Sequence, residues 1–186
     1  LSALLFNIVS PAQNVKRDSA EICNELGKLY HTVGKNDSSL FFYHKAITHT
    51  EKESQQRLDA YQGLSVTFLW LTQFDSAKYY LTRSQDLAEQ IQDYARLAGI
   101  YNSWGNLYLQ EGDKTEALKK YIYTAKLQDS LLNDPLGKAT ALSNIGNVQY
   151  LMGNLNTGLG YIQEAQALAQ AHNLKKVIAY TSQLMG

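Results

Sequence analysis

The fold is decided by the stretch from Tyr101 to Tyr121, which reads YNSWGNLYLQEGDKTEALKKY. In it the small residue Gly105 is followed seven positions later by Gly112, at a turn, and five positions after that by Ala117. The same order of small, turn and small residue occurs four times, starting at positions separated by 38, 40 and 41 residues: Gly27, Ser65, Gly105 and Gly146. Self-similarity at a period of this size is typical of stacked helical hairpins.

Hydrophobic periodicity predicts helices along nearly the whole chain. Apolar residues recur at spacings of three and four, and prolines occur only at Pro11 and Pro135. The breaks carry Gly, Asn or Asp, as helix ends do, and Asp134 before Pro135 reads as an N-cap. The predicted helices are 14–33, 37–53, 56–71, 75–91, 93–110, 114–131, 135–151, 155–172 and 174–185.

These residues resemble the tetratricopeptide repeat (TPR) family, whose pattern is a bulky residue, Leu-Gly, Tyr, a turn Gly, Ala, an aromatic residue and Ala. The third unit carries Tyr101, Trp104, Gly105, Tyr108, Gly112, Ala117 and Tyr121; the first carries Cys23, Leu26, Gly27, Tyr30, Gly34, Ser39, Tyr43 and Ala46. The second and fourth units are looser, and Gln149 stands where the family has Tyr. The period exceeds the family's usual length, which resembles the longer-repeat arrays of bacterial signalling and sensor proteins.

The resemblance implies an all-α fold, a right-handed superhelical solenoid of antiparallel helix hairpins. It places a TPR domain at 14–186, with repeats at about 14–53, 54–91, 92–131 and 134–172 and a partial fifth at 174–186. Residues 1–13 begin with a short apolar stretch, 1–10, and Ser10-Pro11-Ala12 resembles a small-x-small cleavage site. This segment is either a signal-peptide remnant or an N-terminal cap, so that the protein is periplasmic or exported in the first case and cytoplasmic in the second.

Composition argues against several classes of function. Lys and Arg equal Asp and Glu at 17 each, so no global field attracts nucleic acid or a membrane surface. The single cysteine, Cys23, rules out an intramolecular disulfide and argues against a metal cluster, and the four histidines are scattered. We find no catalytic motif. The expectation is therefore a protein that is not an enzyme and that uses no metal and no cofactor.

The candidate site follows from the resemblance, because in this family the first helix of each hairpin lines a concave groove. Each of these helices contributes a pair of groove positions four residues apart, and the two members of a pair share one helix face. They and one neighbouring residue form the predicted peptide-binding set, which is Asn24, Lys28, Gln62, Asn102, Asn106, Ser143, Asn144 and Asn147. Carboxamides both donate and accept hydrogen bonds, which suits an extended peptide backbone. Since only Lys28 is cationic, the set does not predict capture of a C-terminal carboxylate.

The sequence thus predicts a module that binds a protein or an extended peptide in its concave groove. The alternative is a sensory, possibly periplasmic, domain of a bacterial signalling protein, with a kinase or DNA-binding output outside this fragment. A solvated groove without a ligand would also need polar residues at these positions. A homodimer through the C-terminal end, around Val177 to Met185, is a further expectation, because an uncovered last helix would expose an apolar face.

Overall fold

The computed structural model describes the backbone of residues 11–185 and the side chains of residues 19–184. The described part is all-α, as predicted. Its helices are α1 (Pro11–Thr32), α2 (Asn36–Thr48), α3 (Gln55–Trp70), α4 (Phe74–Gln90), α5 (Tyr94–Glu111), α6 (Lys114–Leu127), α7 (Pro135–Leu151), α8 (Leu155–Ala171) and α9 (Lys175–Met185). The predicted signal-peptide remnant or cap lies outside the described residues, except for residues 11–13, which belong to α1.

Two boundaries were predicted wrongly. Helix α2 ends at Thr48 instead of residue 53, and α6 ends at Leu127, after which Gln128–Leu132 form a π-helical segment. The predicted cap at Asp134 is confirmed, because its carboxylate accepts a hydrogen bond from the Leu136 amide at 3.0 Å, with Pro135 in the first helical turn.

The chain divides into two compact units, Leu1–Tyr80 and Leu81–Gly186. In the first unit, α1, α2 and α3 pack on one another around the buried ring of Tyr43. That ring lies against Gly27 of α1 and Gly63 of α3, where a Cβ would collide with it. The small residue at Gly27 therefore lets neighbouring helices approach closely, as the repeat pattern predicts.

In the second unit, consecutive helices from α5 to α9 pack in pairs, and α7 also contacts α9. The core contains Tyr121 of α6, whose ring lies against Gly105 of α5, and Ile162 of α8, whose side chain lies against Gly146 of α7. Tyr43, Tyr121 and Ile162 each follow their glycine by 16 residues. The hairpins of both units thus use one packing rule with different side chains.

The predicted turn positions share one backbone conformation. All four have positive φ, with values of 73°, 56°, 89° and 87° at Gly34, Thr72, Gly112 and Gly153. A left-handed residue at this place ends a helix and lets the chain reverse. Each is followed five residues later by a buried small residue, and these are Ser39, Ala77, Ala117 and Gly158.

Candidate functional site

Four asparagines of the second unit form a polar row on the first helices of two hairpins. Asn102 and Asn106 lie one turn apart on α5, and Asn144 and Asn147 lie on α7. All four side chains are half-buried. We call these residues the unit 2 polar row. Their partial burial places carboxamides at the protein surface with restricted freedom, which lowers the entropic cost of using them in binding.

One hydrogen bond joins the two helices of the row. The Nδ2 atom of Asn144 donates to the Oδ1 atom of Asn102 at 2.9 Å. The bond fixes which way each carboxamide points, since Oδ1 of Asn102 and Nδ2 of Asn144 are turned toward each other. The Nδ2 donor of Asn102 and the Oδ1 acceptor of Asn144 are left as the groups that can meet a ligand.

A buried tyrosine holds a third member of the row. The Tyr121 hydroxyl, from α6, donates to Oδ1 of Asn106 at 2.6 Å. Tyr121 is 1% exposed, and burial, with a smaller contribution from Tyr180, raises the pKa of its phenol above the usual value. The phenol therefore stays protonated and remains a donor at neutral pH. The ring reaches this position because Gly105 offers no Cβ in its way.

Ser143 does not fit the predicted role. Its side chain is fully buried, and its hydroxyl donates to the Ala139 carbonyl one turn earlier at 2.8 Å. The neighbouring helices α6, α8 and α9 all contact α7. The expectation that Ser143 offers its hydroxyl to a ligand is therefore wrong for this structure.

The predicted residues of the first unit have three different environments. Asn24 of α1 donates from Nδ2 to the Gln56 carbonyl of α3 at 2.7 Å, while its Oδ1 is buried without a hydrogen-bond partner. Asn24 therefore ties two helices together and keeps its carboxamide away from solvent. Lys28, one turn later on α1, is exposed, and Gln62 of α3 is half-buried.

The same unit has an exposed tryptophan at the end of α3. Trp70, at the end of α3, is 72% exposed, and the His31 ring meets it edge to face at 6.2 Å between centroids. Nδ1 of His31 lies 3.3 Å from the Thr67 hydroxyl, which itself donates to the Gly63 carbonyl. Thr67 also lies 3.2 Å from the buried Ser39 hydroxyl. This chain of contacts across α1, α2 and α3 holds His31 beside the indole.

Sequence reasoning missed Tyr121 and Trp70 as parts of the site. Tyr121 was identified only as the aromatic position of the repeat pattern, and that pattern contains nothing about its hydroxyl. The sequence did contain a signal. Asn106 directly follows Gly105 and Tyr121 follows it by 16 residues, whereas in the next hairpin Asn147 and Ile162 occupy the same positions relative to Gly146.

Within the described residues, no group of three or more His, Cys, Asp or Glu side chains is arranged to hold a metal ion. None of the helices described has the length and apolar character needed to cross a membrane. At the C-terminal end, Val177 of α9 is buried against α7 and α8, and Tyr180 is 38% exposed.

Comparison with known proteins gives one curated relative and many structural ones. No family model matches the chain. The regulatory protein RapG of Bacillus subtilis (strain 168) is 26% identical over 125 residues, which cover 66% of this chain and 33% of RapG. The chain thus spans about a third of the length of this curated relative.

Three solved structures show the same fold. Aspartyl phosphate phosphatase F from Bacillus subtilis has a TM-score of 0.83 at 14% identity, over 90% of this chain and 44% of that one. The Rap conjugation gene regulator of plasmid pLS20, in complex with the Phr* peptide, has a TM-score of 0.75 at 18% identity, over 96% and 48%. A signal transduction ATPase with a tetratricopeptide repeat sensor, from Pyrococcus horikoshii, has a TM-score of 0.78 at 20% identity, over 91% and 26%.

Identities this low establish fold and nothing finer. The structural neighbours agree with the resemblance seen in the repeat residues, because they include TPR-like repeat proteins. The chain has the fold of the TPR-like helical repeat proteins.

Proposed function

We propose that this chain is an interaction module without catalytic activity that binds a protein segment or an extended peptide through its first helices. In the second unit the contacts come from the unit 2 polar row. In the first unit, considered by itself, the proposed contacts are Lys28 and Gln62. The observation that carries the proposal is the hydrogen bond between Asn102 and Asn144, which presents carboxamides of two successive hairpins in fixed orientations.

The chemistry of the row fits a peptide backbone. Each residue of an extended peptide offers one N–H donor and one C=O acceptor. Carboxamides supply both complementary groups without charge, so recognition would depend on backbone shape more than on the net charge of the partner. Asn24 and Ser143 are left out of the proposed contacts, because Nδ2 of Asn24 donates to the Gln56 carbonyl, Oδ1 of Asn24 is buried, and the Ser143 hydroxyl donates to the Ala139 carbonyl.

The comparisons support this class of function without naming a ligand for this chain. The pLS20 regulator was solved with a peptide, and the Bacillus subtilis relative is described as a regulatory protein. By analogy, the partner of this chain would be a peptide or protein segment involved in regulation.

The test is to replace Asn102 and Asn106 with Ala and to measure capture of partners from the native cell, using the whole chain as bait. Each lost hydrogen bond to a backbone amide should cost about 1 kcal/mol, so the double variant should lose at least tenfold in affinity for a captured partner. Gln163→Ala with Gln170→Ala is the matched control, since both are exposed carboxamides of the second helix α8. Unchanged affinity in the Asn102 and Asn106 variant would remove the row from the binding site.

A second proposal is that the module is the sensory part of a signalling protein. It is favoured by the fold shared with the repeat sensor of the Pyrococcus horikoshii protein. The test is the amino-acid sequence encoded by the whole reading frame that contains residues 1–186. A hydrophobic stretch of about 20 residues followed by a kinase or DNA-binding domain would support the sensor, and a frame with neither would reject it.

A further inference from the structure

We infer that Tyr121 is a positioning residue, which orients the Asn106 carboxamide so that Nδ2 faces the ligand as a donor. This inference rests on the proposed function of the unit 2 polar row. The contact is the hydroxyl-to-Oδ1 bond of 2.6 Å between a nearly inaccessible phenol and a half-buried asparagine.

The carboxamide of an isolated surface asparagine can turn over and present either atom. At Asn106 the phenol removes that choice, because a protonated hydroxyl that donates to Oδ1 leaves Nδ2 as the group that can reach a ligand. A phenol is protonated across the physiological range even at its ordinary pKa, and burial raises the pKa of Tyr121 further. Orientation fixed before binding lowers the cost of ordering the side chain in the complex.

The sequence around Asn106 supplies the geometry. Gly105 is directly before it on α5, and a Cβ there would lie 2.5 Å from the Tyr121 ring. The ring can therefore lie flat on the helix, which brings its hydroxyl to the next residue. Asn147 on α7 offers an internal contrast, because it follows Gly146, and the residue packed against Gly146 is Ile162, which has no hydroxyl.

The ligand chemistry follows from the orientations. Asn106 and Asn102 present Nδ2 donors, and Asn144 presents its Oδ1 acceptor. An extended peptide would place two backbone carbonyls against the donors of α5 and one N–H against the acceptor of α7. Such an arrangement distinguishes the two possible directions of the peptide, which a row of freely turning carboxamides would not do.

The first experiment needs no ligand. In the 15N-labelled chain, solvent exchange of the side-chain amide protons is compared between Asn106 and Asn147, each assigned by its loss on substitution with Ala. We expect the Asn106 protons to exchange within about threefold of the Asn147 protons, because Nδ2 is not the atom bonded to Tyr121. Exchange slowed tenfold or more at Asn106 alone would mean that Nδ2 donates to the phenol, and it would overturn the inference.

The second experiment uses immobilised protein and a pool of random hexapeptides with acetylated and amidated ends. We expect Tyr121→Phe to lower peptide retention about fivefold, an effect of the size of one hydrogen bond. Tyr43→Phe, at the equivalent position against Gly27, should lower retention less than twofold. Thermal melting of each variant establishes that it is folded.

The double variant separates positioning from a general loss of structure. Tyr121→Phe should have no further effect once Asn106→Ala is present, because both remove the same oriented donor. A fivefold loss that persists in the Asn106→Ala background would show that Tyr121 acts by another route and would overturn the inference. If the wild-type chain retained no peptide, the proposed function would fail, while the exchange measurement would still decide the orientation of Asn106.

Discussion

At the residue scale, two glycines within helices have opposite roles. Gly63 on α3 faces the ring of Tyr43, and a Cβ built there would overlap the ring, whereas a Cβ at Gly160 on α8 meets no atom within 4 Å. We expect Gly63→Ala to lower the free energy of unfolding by about 2 kcal/mol, because overpacking forces the ring to move. Gly160→Ala should raise it by about 0.5–1 kcal/mol, the usual gain in an exposed helix.

Urea denaturation of both variants provides the measurement, with the m-value as a check that the folded and unfolded states are comparable. The repeat pattern placed a small residue at Ser65 and assigned nothing to Gly63, two positions earlier. Equal effects of the two alanine substitutions would show that Tyr43 does not need Gly63 and would contradict the packing described here.

Thr72 is a β-branched residue in a backbone conformation that favours glycine. It has a φ of 56° at the turn position where the other hairpins have glycine. A β-branched residue in the left-handed region costs about 1–2 kcal/mol, and glycine removes that cost while losing more conformational entropy. We therefore expect Thr72→Gly to stabilise the protein by about 0.5–1 kcal/mol in thermal or urea unfolding.

Asn173 is the matched control for Thr72, because its φ is 54° and asparagine tolerates this conformation. Asn173→Gly should change the free energy of unfolding by less than about 0.5 kcal/mol. A destabilised Thr72→Gly variant would mean that the Thr72 hydroxyl, which donates to the Leu71 carbonyl at 2.7 Å, matters more than the backbone.

At the scale of elements, one arginine determines how α2 ends. The Arg57 guanidinium, from α3, donates to the Ile47 and Thr50 carbonyls at 3.0 Å each and to the Thr50 hydroxyl at 3.1 Å. It satisfies carbonyls that the helix leaves open and places a positive charge at its C-terminus. We expect Arg57→Gln to destabilise the protein by about 2 kcal/mol, since bonds to a charged donor are lost.

Amide hydrogen exchange should show which residues are destabilised by Arg57→Gln. Amides of residues 44–54 should exchange faster in Arg57→Gln, while Lys45→Gln, which removes an exposed cation from the same last turn, should leave them nearly unchanged. A uniform increase across the chain would indicate that Arg57 acts on global stability and not on the end of α2.

The same arginine explains a limit of the sequence analysis. Periodicity predicted the helices of residues 11–185 and the four turn positions, because both depend on spacing along the chain. It extended α2 to residue 53, because the contact that ends this helix comes from a residue in the next one. The π-helical segment was missed for a similar reason, since Gln128 packs its carboxamide against Gly137 of α7.

At the scale of the whole molecule, the geometry of the candidate site could be predicted in part, and its role in binding stays a prediction. Register alone identified Asn102 and Asn106 as neighbours on one face, and both side chains are half-buried. Register could not distinguish Ser143 from Asn102, because the two residues occupy equivalent positions in their repeats. The difference lies in burial, because the Ser143 side chain is fully buried and its hydroxyl donates to the Ala139 carbonyl, whereas Asn102 is half-buried.

The charge of the whole molecule leads to the last prediction. The formal net charge is zero, with 17 cationic and 17 anionic residues, and Lys28 is the one charged residue in the predicted binding set. Hydrogen bonds of neutral carboxamides are not screened by salt, whereas contacts to phosphates weaken steeply as salt rises. Retention of the blocked hexapeptide pool should therefore change less than about twofold between 50 and 500 mM NaCl.

A small salt dependence that does occur should disappear in Lys28→Gln, which removes the charge and keeps a carboxamide. Retention that fell tenfold or more across this range would assign binding to charged groups outside the row. That outcome would favour a partner held by ion pairs over a peptide backbone held by asparagines. Because the net charge is zero, the response of binding to salt would come from local charges.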